Sequence, residues 1–107
     1  MRVALFGCGW IQDFHARGVL AHPGGELAVV VNHREETARV FAERHGVPRV
    51  ETDWEAAVRT GGFDAAIVST PNALHAPQSI ALLEAGIPVM VEKPMATSVA
   101  ECDAMLA

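Results

Sequence analysis

The chain has 107 residues, half of them apolar and a fifth charged, which suits one globular domain built on a single hydrophobic core. A net charge of −5 argues against nucleic acid or another polyanion as a partner over the whole surface, but leaves room for a local phosphate pocket. The apolar runs are too short for a membrane span, and Cys8 and Cys102 lack neighbouring Cys or His at ligand spacing, so neither a disulfide framework nor a metal site is expected.

Taken in chain order, the first strand is Val3 to Phe6, directly after Arg2. It is too short for a signal-peptide core and has no cleavage site, which predicts a cytoplasmic protein. Gly7-Cys8-Gly9 follows, then a helix from Ile11 to Ala21 that stops at His22-Pro23-Gly24-Gly25. Leu27 to Val31 reads as the second strand. A helix from Glu35 to His45 opens on two acids and ends at Gly46, with Pro48 beyond. A short strand is expected near Arg49-Val50. Thr52 and Glu55 have capping-box spacing for a short helix through Val58. Ala65 to Ser69 is the fourth strand, Ala73 to Ala85 a helix ending at Gly86, and Val89 to Glu92 the fifth strand. Ser98 and Glu101 form a second capping box, opening a helix still running at Ala107, which reads as a fragment.

The strands are nearly continuous apolar runs rather than alternating ones, as expected for strands buried on both faces. Alternation with helices implies right-handed crossovers. The predicted fold is α/β: a doubly wound parallel sheet of strand order 3-2-1-4-5 with helices on both faces.

Gly7-Cys8-Gly9-Trp10-Ile11-Gln12 stands between a strand and a helix, the context a dinucleotide fingerprint requires. Gly7 permits the tight turn, and Gly9 lets a pyrophosphate approach the backbone and the positive helix end. Cys8 occupies a loop position that calls for a small residue. Gln12 stands where a third glycine would give close helix–strand contact. It implies a slightly lifted helix or a side chain directed at the cofactor. The bland alternative is a glycine-rich strand-to-helix turn without a ligand.

At the end of the second strand, where an acid commonly takes the ribose hydroxyls, stands Asn32, followed by His33 and Arg34. Without the acid a 2′-phosphate meets no repulsion, and Arg34 can pair with it. NADP(H) is therefore favoured over NAD(H). The alternative is that Asn32 serves the ribose of NAD and Arg34 is simply solvated.

Ligands of open α/β sheets lie outside the carboxyl ends of the strands. Two motifs fall there: Ser69-Thr70-Pro71-Asn72 and Glu92-Lys93-Pro94. Thr70-Pro71-Asn72 would wall the ribose and nicotinamide, with Asn72 also placed as a helix N-cap. His75 lies one turn on, either facing the cleft or serving structure. Lys93 at the sheet rim can polarise a substrate hydroxyl or carbonyl, and Pro94 beside it could aim it through a cis bond. His22 and His45 read as solvent-exposed helix-end residues. His15 reaches the cleft only if its helix presents that face.

Together these residues resemble the Gfo/Idh/MocA oxidoreductase family. The resemblance rests on Gly7-Cys8-Gly9-Trp10-Ile11, Thr70-Pro71-Asn72 with His75, Ala85-Gly86, Glu92-Lys93-Pro94, and Thr97-Ser98 leading to Glu101, and it covers essentially the whole chain. It implies that residues 1–107 are a Rossmann-type NAD(P)-binding domain with Lys93 in the active site. A second, C-terminal domain would supply substrate contacts, the catalytic aspartate and histidine, and the usual dimer interface. The implied full-length enzyme is a homo-oligomeric dehydrogenase moving a hydride between a sugar, polyol or related hydroxyl compound and nicotinamide. The fragment alone would bind cofactor at best, with apolar surface exposed where its partner domain belongs. Gln12 and Asn32 depart from the family's frequent glycine and aspartate.

Two other readings differ in class. One is a non-catalytic nucleotide sensor or partner-binding member of the same fold, against which Lys93 argues. The other is a methyltransferase-like domain binding S-adenosylmethionine, which leaves Glu92-Lys93-Pro94 without a use.

Overall fold

The computed structural model describes residues 1–70 and 72–91. Within them the elements alternate as β1 (Arg2–Phe6), α1 (Trp10–Ala21), β2 (Glu26–Val31), α2 (Glu35–His45), β3 (Arg49–Glu51), α3 (Trp54–Thr60), β4 (Ala65–Val68), α4 (Asn72–Glu84) and β5 (Val89–Val91). The pairings are parallel and the strand order is β3-β2-β1-β4-β5, as the sequence pattern predicts. The helix opening at Ser98, with its Glu101 partner, lies outside the described residues.

Apolar strands make two cores because successive side chains point to opposite faces. On one face Leu5, Val30 and Ile67 pack with Ala16 of α1 and Ala38 and Phe41 of α2. On the other, Phe6, Val29 and Val68 pack with Ala57 of α3 and Leu82 of α4. The Phe63 ring meets Phe6 edge-on there, with centroids 6.4 Å apart. Full burial of side chains such as Leu5 or Phe6 stabilises the fold by about 1.5–3 kcal/mol each. Between β1 and β2 the register slips: Val3 pairs with Leu27 but Ala4 pairs with Val29, so Ala28 is left over as a bulge.

The helix ends follow local chemistry. Glu35 and Glu36 occupy the first turn of α2, and Gly46 closes it in the left-handed region at φ 70° with its N–H on the Ala42 carbonyl. The expected Thr52 cap of α3 is corrected. Asp53 caps instead, its Oδ1 accepting from the amides of Glu55 at 3.0 Å and Ala56 at 3.3 Å. A carboxylate adjacent to the first turn satisfies two orphan donors, leaving Thr52 one residue outside. α4 begins and ends one residue earlier than expected, so Asn72 is its first residue rather than its cap. Pro77 lies inside α4 and removes the amide that would bond the Ala73 carbonyl.

Candidate dinucleotide crevice

The crevice lies at the carboxyl ends of β1 and β4, where the strand order reverses and the covering helices change face. Gly7 leaves β1 with φ 95°, and a Cβ there would stand 2.8 Å from the Ser69 carbonyl oxygen and 3.0 Å from the Thr70 amide. Its N–H donates to the Val31 carbonyl at 2.7 Å. The loop is thus tied to the ends of β2 and β4 at once. Gly9 differs: its backbone is extended, and a Cβ there would meet nothing within 4 Å. It is the N-cap of α1 and offers no side chain to the first amides of that helix. Unpartnered amides at the positive end of a helix, beside open space, can receive an anion. Trp10 and Ile11 open α1, and Trp10 is 74% exposed with its ring edge-on to Phe14.

Gln12 is fully buried, and its Nε2 donates to the carbonyls of Phe6 at 3.2 Å and Ile67 at 3.3 Å. The expectation of a side chain directed at the cofactor is corrected accordingly. Where a third glycine would bring helix and strand together, this carboxamide bridges β1 to β4. Its Oε1 is buried with no hydrogen-bond partner.

At the end of β2, the Asn32 amide donates to the Glu51 carbonyl at 3.0 Å, and its Nδ2 donates to the Arg34 carbonyl at 3.2 Å. His33 and Arg34 are exposed, and Arg34 is the N-cap residue of α2. Among the described residues Arg34 has no ion-pair partner, so its guanidinium stands available beside the loop that follows β2.

At the end of β4, Ser69 donates its amide to the Phe6 carbonyl at 2.9 Å, and its Oγ is buried without a partner. The Thr70 hydroxyl donates to Oε1 of Gln78 at 2.6 Å. His75 is 1% exposed, and its Nε2 lies 2.8 Å from the Thr70 carbonyl. A carbonyl only accepts, so this ring nitrogen carries the proton. The structure therefore displays His75 as a buried anchor of Thr70. Gln78 was not among the sequence candidates, and nothing in its local pattern marks it, because its partner comes from the preceding loop. Pro71, Glu92, Lys93 and Pro94 lie outside the described residues, as does the Asn72 side chain.

Next to the loop, Asp13 of α1 holds two residues at the end of α2. Nε2 of His45 is 2.7 Å from its Oδ1, and Nη1 of Arg44 lies 3.0 Å and 3.1 Å from its two oxygens. The His45 side chain is only 6% exposed and its ring lies 4.5 Å from that of Phe41, tilted by 48°, so its reading as a solvent-exposed end residue is corrected. The hydrogen bond from His45, with the Arg44 contacts, holds the Asp13 carboxyl below the usual carboxylate range. Burial, aided by the Asp13 charge, pushes the Cys8 thiol up, which makes it a packing residue rather than a nucleophile. Cys8 borders a cavity of about 290 Å³ with Thr37 and Arg44. A second cavity, about 650 Å³, runs along α1 beside Phe14, His15, Ile67 and Met90 and includes none of the loop glycines Gly7 and Gly9. Phe14 and Met90 are exposed there. His15 faces this groove rather than the glycine loop.

Comparison with known proteins places this geometry. The model of the Gfo/Idh/MocA family, an oxidoreductase family with an NAD-binding Rossmann fold, matches residues 1–107. The 4-carboxy-2-hydroxymuconate-6-semialdehyde dehydrogenase of Sphingobium sp. is 35% identical over 99% of this chain and 34% of its own length. The scyllo-inositol 2-dehydrogenase (NADP(+)) of Bacillus subtilis is 29% identical over 99% of this chain and 32% of its own. The crystal structure of the WlbA dehydrogenase from Bordetella pertussis, in complex with NADH and UDP-GlcNAcA, superposes with a TM-score of 0.90 at 30% identity. That match covers 97% of this chain and 32% of the other. The chain thus spans about a third of the length of these relatives. No helix among the described residues is long and apolar enough to cross a membrane.

Proposed function

The chain belongs to the Gfo/Idh/MocA oxidoreductase family as its NAD-binding Rossmann domain, and from that premise we propose that it seats a dinucleotide across the β1–β4 crevice for hydride transfer to or from a hydroxyl-bearing small molecule. One observation carries the reading: Gly7 is packed against Ser69 and Thr70, whereas Gly9 borders open space at the amides of α1. A packed turn followed by an open helix end is what a pyrophosphate needs. The buried, unpartnered Ser69 Oγ at the same crevice supports a ligand that completes its hydrogen bonding.

The nicotinamide ring, when bound, supplies the carbon that accepts or gives the hydride. The protein's part is to hold and orient. Gly9 and the amides of Trp10 and Ile11 take the diphosphate, Asn32 and Arg34 border the adenosine ribose, and Ser69-Thr70-Pro71-Asn72 walls the nicotinamide half. His75 acts through the Thr70 carbonyl. Lys93, between Glu92 and Pro94, assists proton transfer at the substrate oxygen, a role that rests on the sequence motif. Domain 1–107 works with a C-terminal substrate and dimerisation domain in a cytoplasmic homo-oligomer acting on a sugar or polyol.

NADP(H) is the favoured cofactor, since no carboxylate ends β2 and Arg34 lacks an ion-pair partner among the described residues. Calorimetric titration with NADPH and NADH tests both parts. Tighter NADPH binding, lost in Arg34→Ala, supports the phosphate assignment. Equal or tighter NADH binding rejects the role of Arg34 while keeping the crevice. Relatives differ here: the Bacillus enzyme is named for NADP(+), and the Bordetella protein was crystallised with NADH.

A further inference from the structure

Gln78 sits on α4 below the crevice, 2% exposed, with its Oε1 accepting the Thr70 hydroxyl at 2.6 Å. The same helix holds the Thr70 carbonyl through Nε2 of His75 at 2.8 Å. Thr70 is therefore gripped at two atoms from one side, while its partly buried hydroxyl stands at the end of β4. A threonine hydroxyl has one proton and two lone pairs. With the proton committed to Gln78, the oxygen is left as an acceptor only. The nicotinamide half of the cofactor presents donors, namely its ribose hydroxyls and its carboxamide N–H groups. On the reading above, the adenosine half lies toward Asn32 and Arg34 at the end of β2.

We propose that Gln78 is a positioning residue that locks the Thr70 hydroxyl as a hydrogen-bond acceptor for the nicotinamide riboside half of the cofactor. This rests on the dinucleotide reading above and assigns a use to a buried polar residue of α4 that the fingerprint does not include. The ordered proton sets which ligand groups Thr70 can receive, because a donor is welcomed and another acceptor is refused.

The test is a calorimetric comparison of NADH with ADP, which keeps the diphosphate but lacks the nicotinamide half. In Thr70→Val and in Gln78→Met, NADH affinity falls about tenfold, equivalent to about 1.4 kcal/mol, while ADP affinity is unchanged. The double variant loses no more than either single one, since both break the same arrangement. Thr70→Ser, which keeps the hydroxyl, recovers most of the NADH affinity that Thr70→Val loses. Retained ADP binding shows that each variant still folds. Equal loss of ADP and NADH would reduce Gln78 to a structural residue and overturn the inference, as would unchanged NADH binding in either single variant. An unsubstituted protein that binds ADP but gains nothing from the nicotinamide half would also overturn it. If that protein binds neither ligand, the dinucleotide reading itself fails.

Discussion

Gly7 and Ser69 approach so closely that no larger residue fits at position 7: a Cβ would come within 2.8 Å of the Ser69 carbonyl oxygen, with φ at 95° besides. The contact joins the glycine loop to the strand end that carries Thr70.

Gly7→Ala is accordingly expected to cost about 1–3 kcal/mol from backbone strain, with added displacement of the Ser69 carbonyl. Urea unfolding reads the loss, and a parallel titration should show weaker dinucleotide binding. An alanine variant as stable as the parent would mean that the loop adopts another turn.

Gln12→Ala should remove the carboxamide that bridges the Phe6 and Ile67 carbonyls and leave a cavity under α1. The Phe6 carbonyl keeps its bond from the Ser69 amide, so the expected destabilisation is moderate, about 2 kcal/mol. Faster amide exchange at Ser69 than at sites distant from β4 would show the loss to be local. Uniform acceleration would count against the bridge.

Asp13 ties α1 to α2 through His45 and Arg44, and its folded carboxyl is lowered from the ordinary 3.8. The unfolded chain then binds more protons in that window, so this contribution is complete above about pH 4 and lost as pH falls through the lowered folded value. Asp13→Asn should be less stable than the parent at pH 7, with the two converging as pH falls through the lowered folded value. Parallel curves across that range would deny Asp13 its role.

How much of this was legible in the sequence depends on the range of each interaction. Strands β1, β2 and β4 announced themselves because burial on both faces demands apolar runs, and α2 because Glu35 and Gly46 mark its ends locally. The α3 cap was misplaced by one residue, since Thr52 and Asp53 both have the right chemistry and only the chain's path selects between them. His45 was misread because Asp13, 32 residues away, decides its environment. Gln12 was recognised as a departure, yet its two strand carbonyls become neighbours only when β1 pairs with β4. Gln78 gave no signal because its partner, the Thr70 hydroxyl, comes from the loop before the helix and not from a position at helical spacing. Gly7-Cys8-Gly9 and Ser69-Thr70 stand out as strand-end motifs; the Gln12 and Gln78 side chains that hold those strand ends do not.

Gly9→Asp would put a carboxylate at the proposed seat of the diphosphate. A Cβ at Gly9 enters open space, and aspartate is a favoured helix N-cap, so the fold should be as stable as the parent or slightly more so. The new carboxylate would stand where the diphosphate is proposed to lie, and like-charge repulsion should weaken NADH and NADPH binding roughly a hundredfold. A stable variant that binds both dinucleotides about a hundredfold more weakly is the predicted result. A stable variant that binds them as tightly as the unsubstituted protein would contradict the placement of the cofactor on this loop.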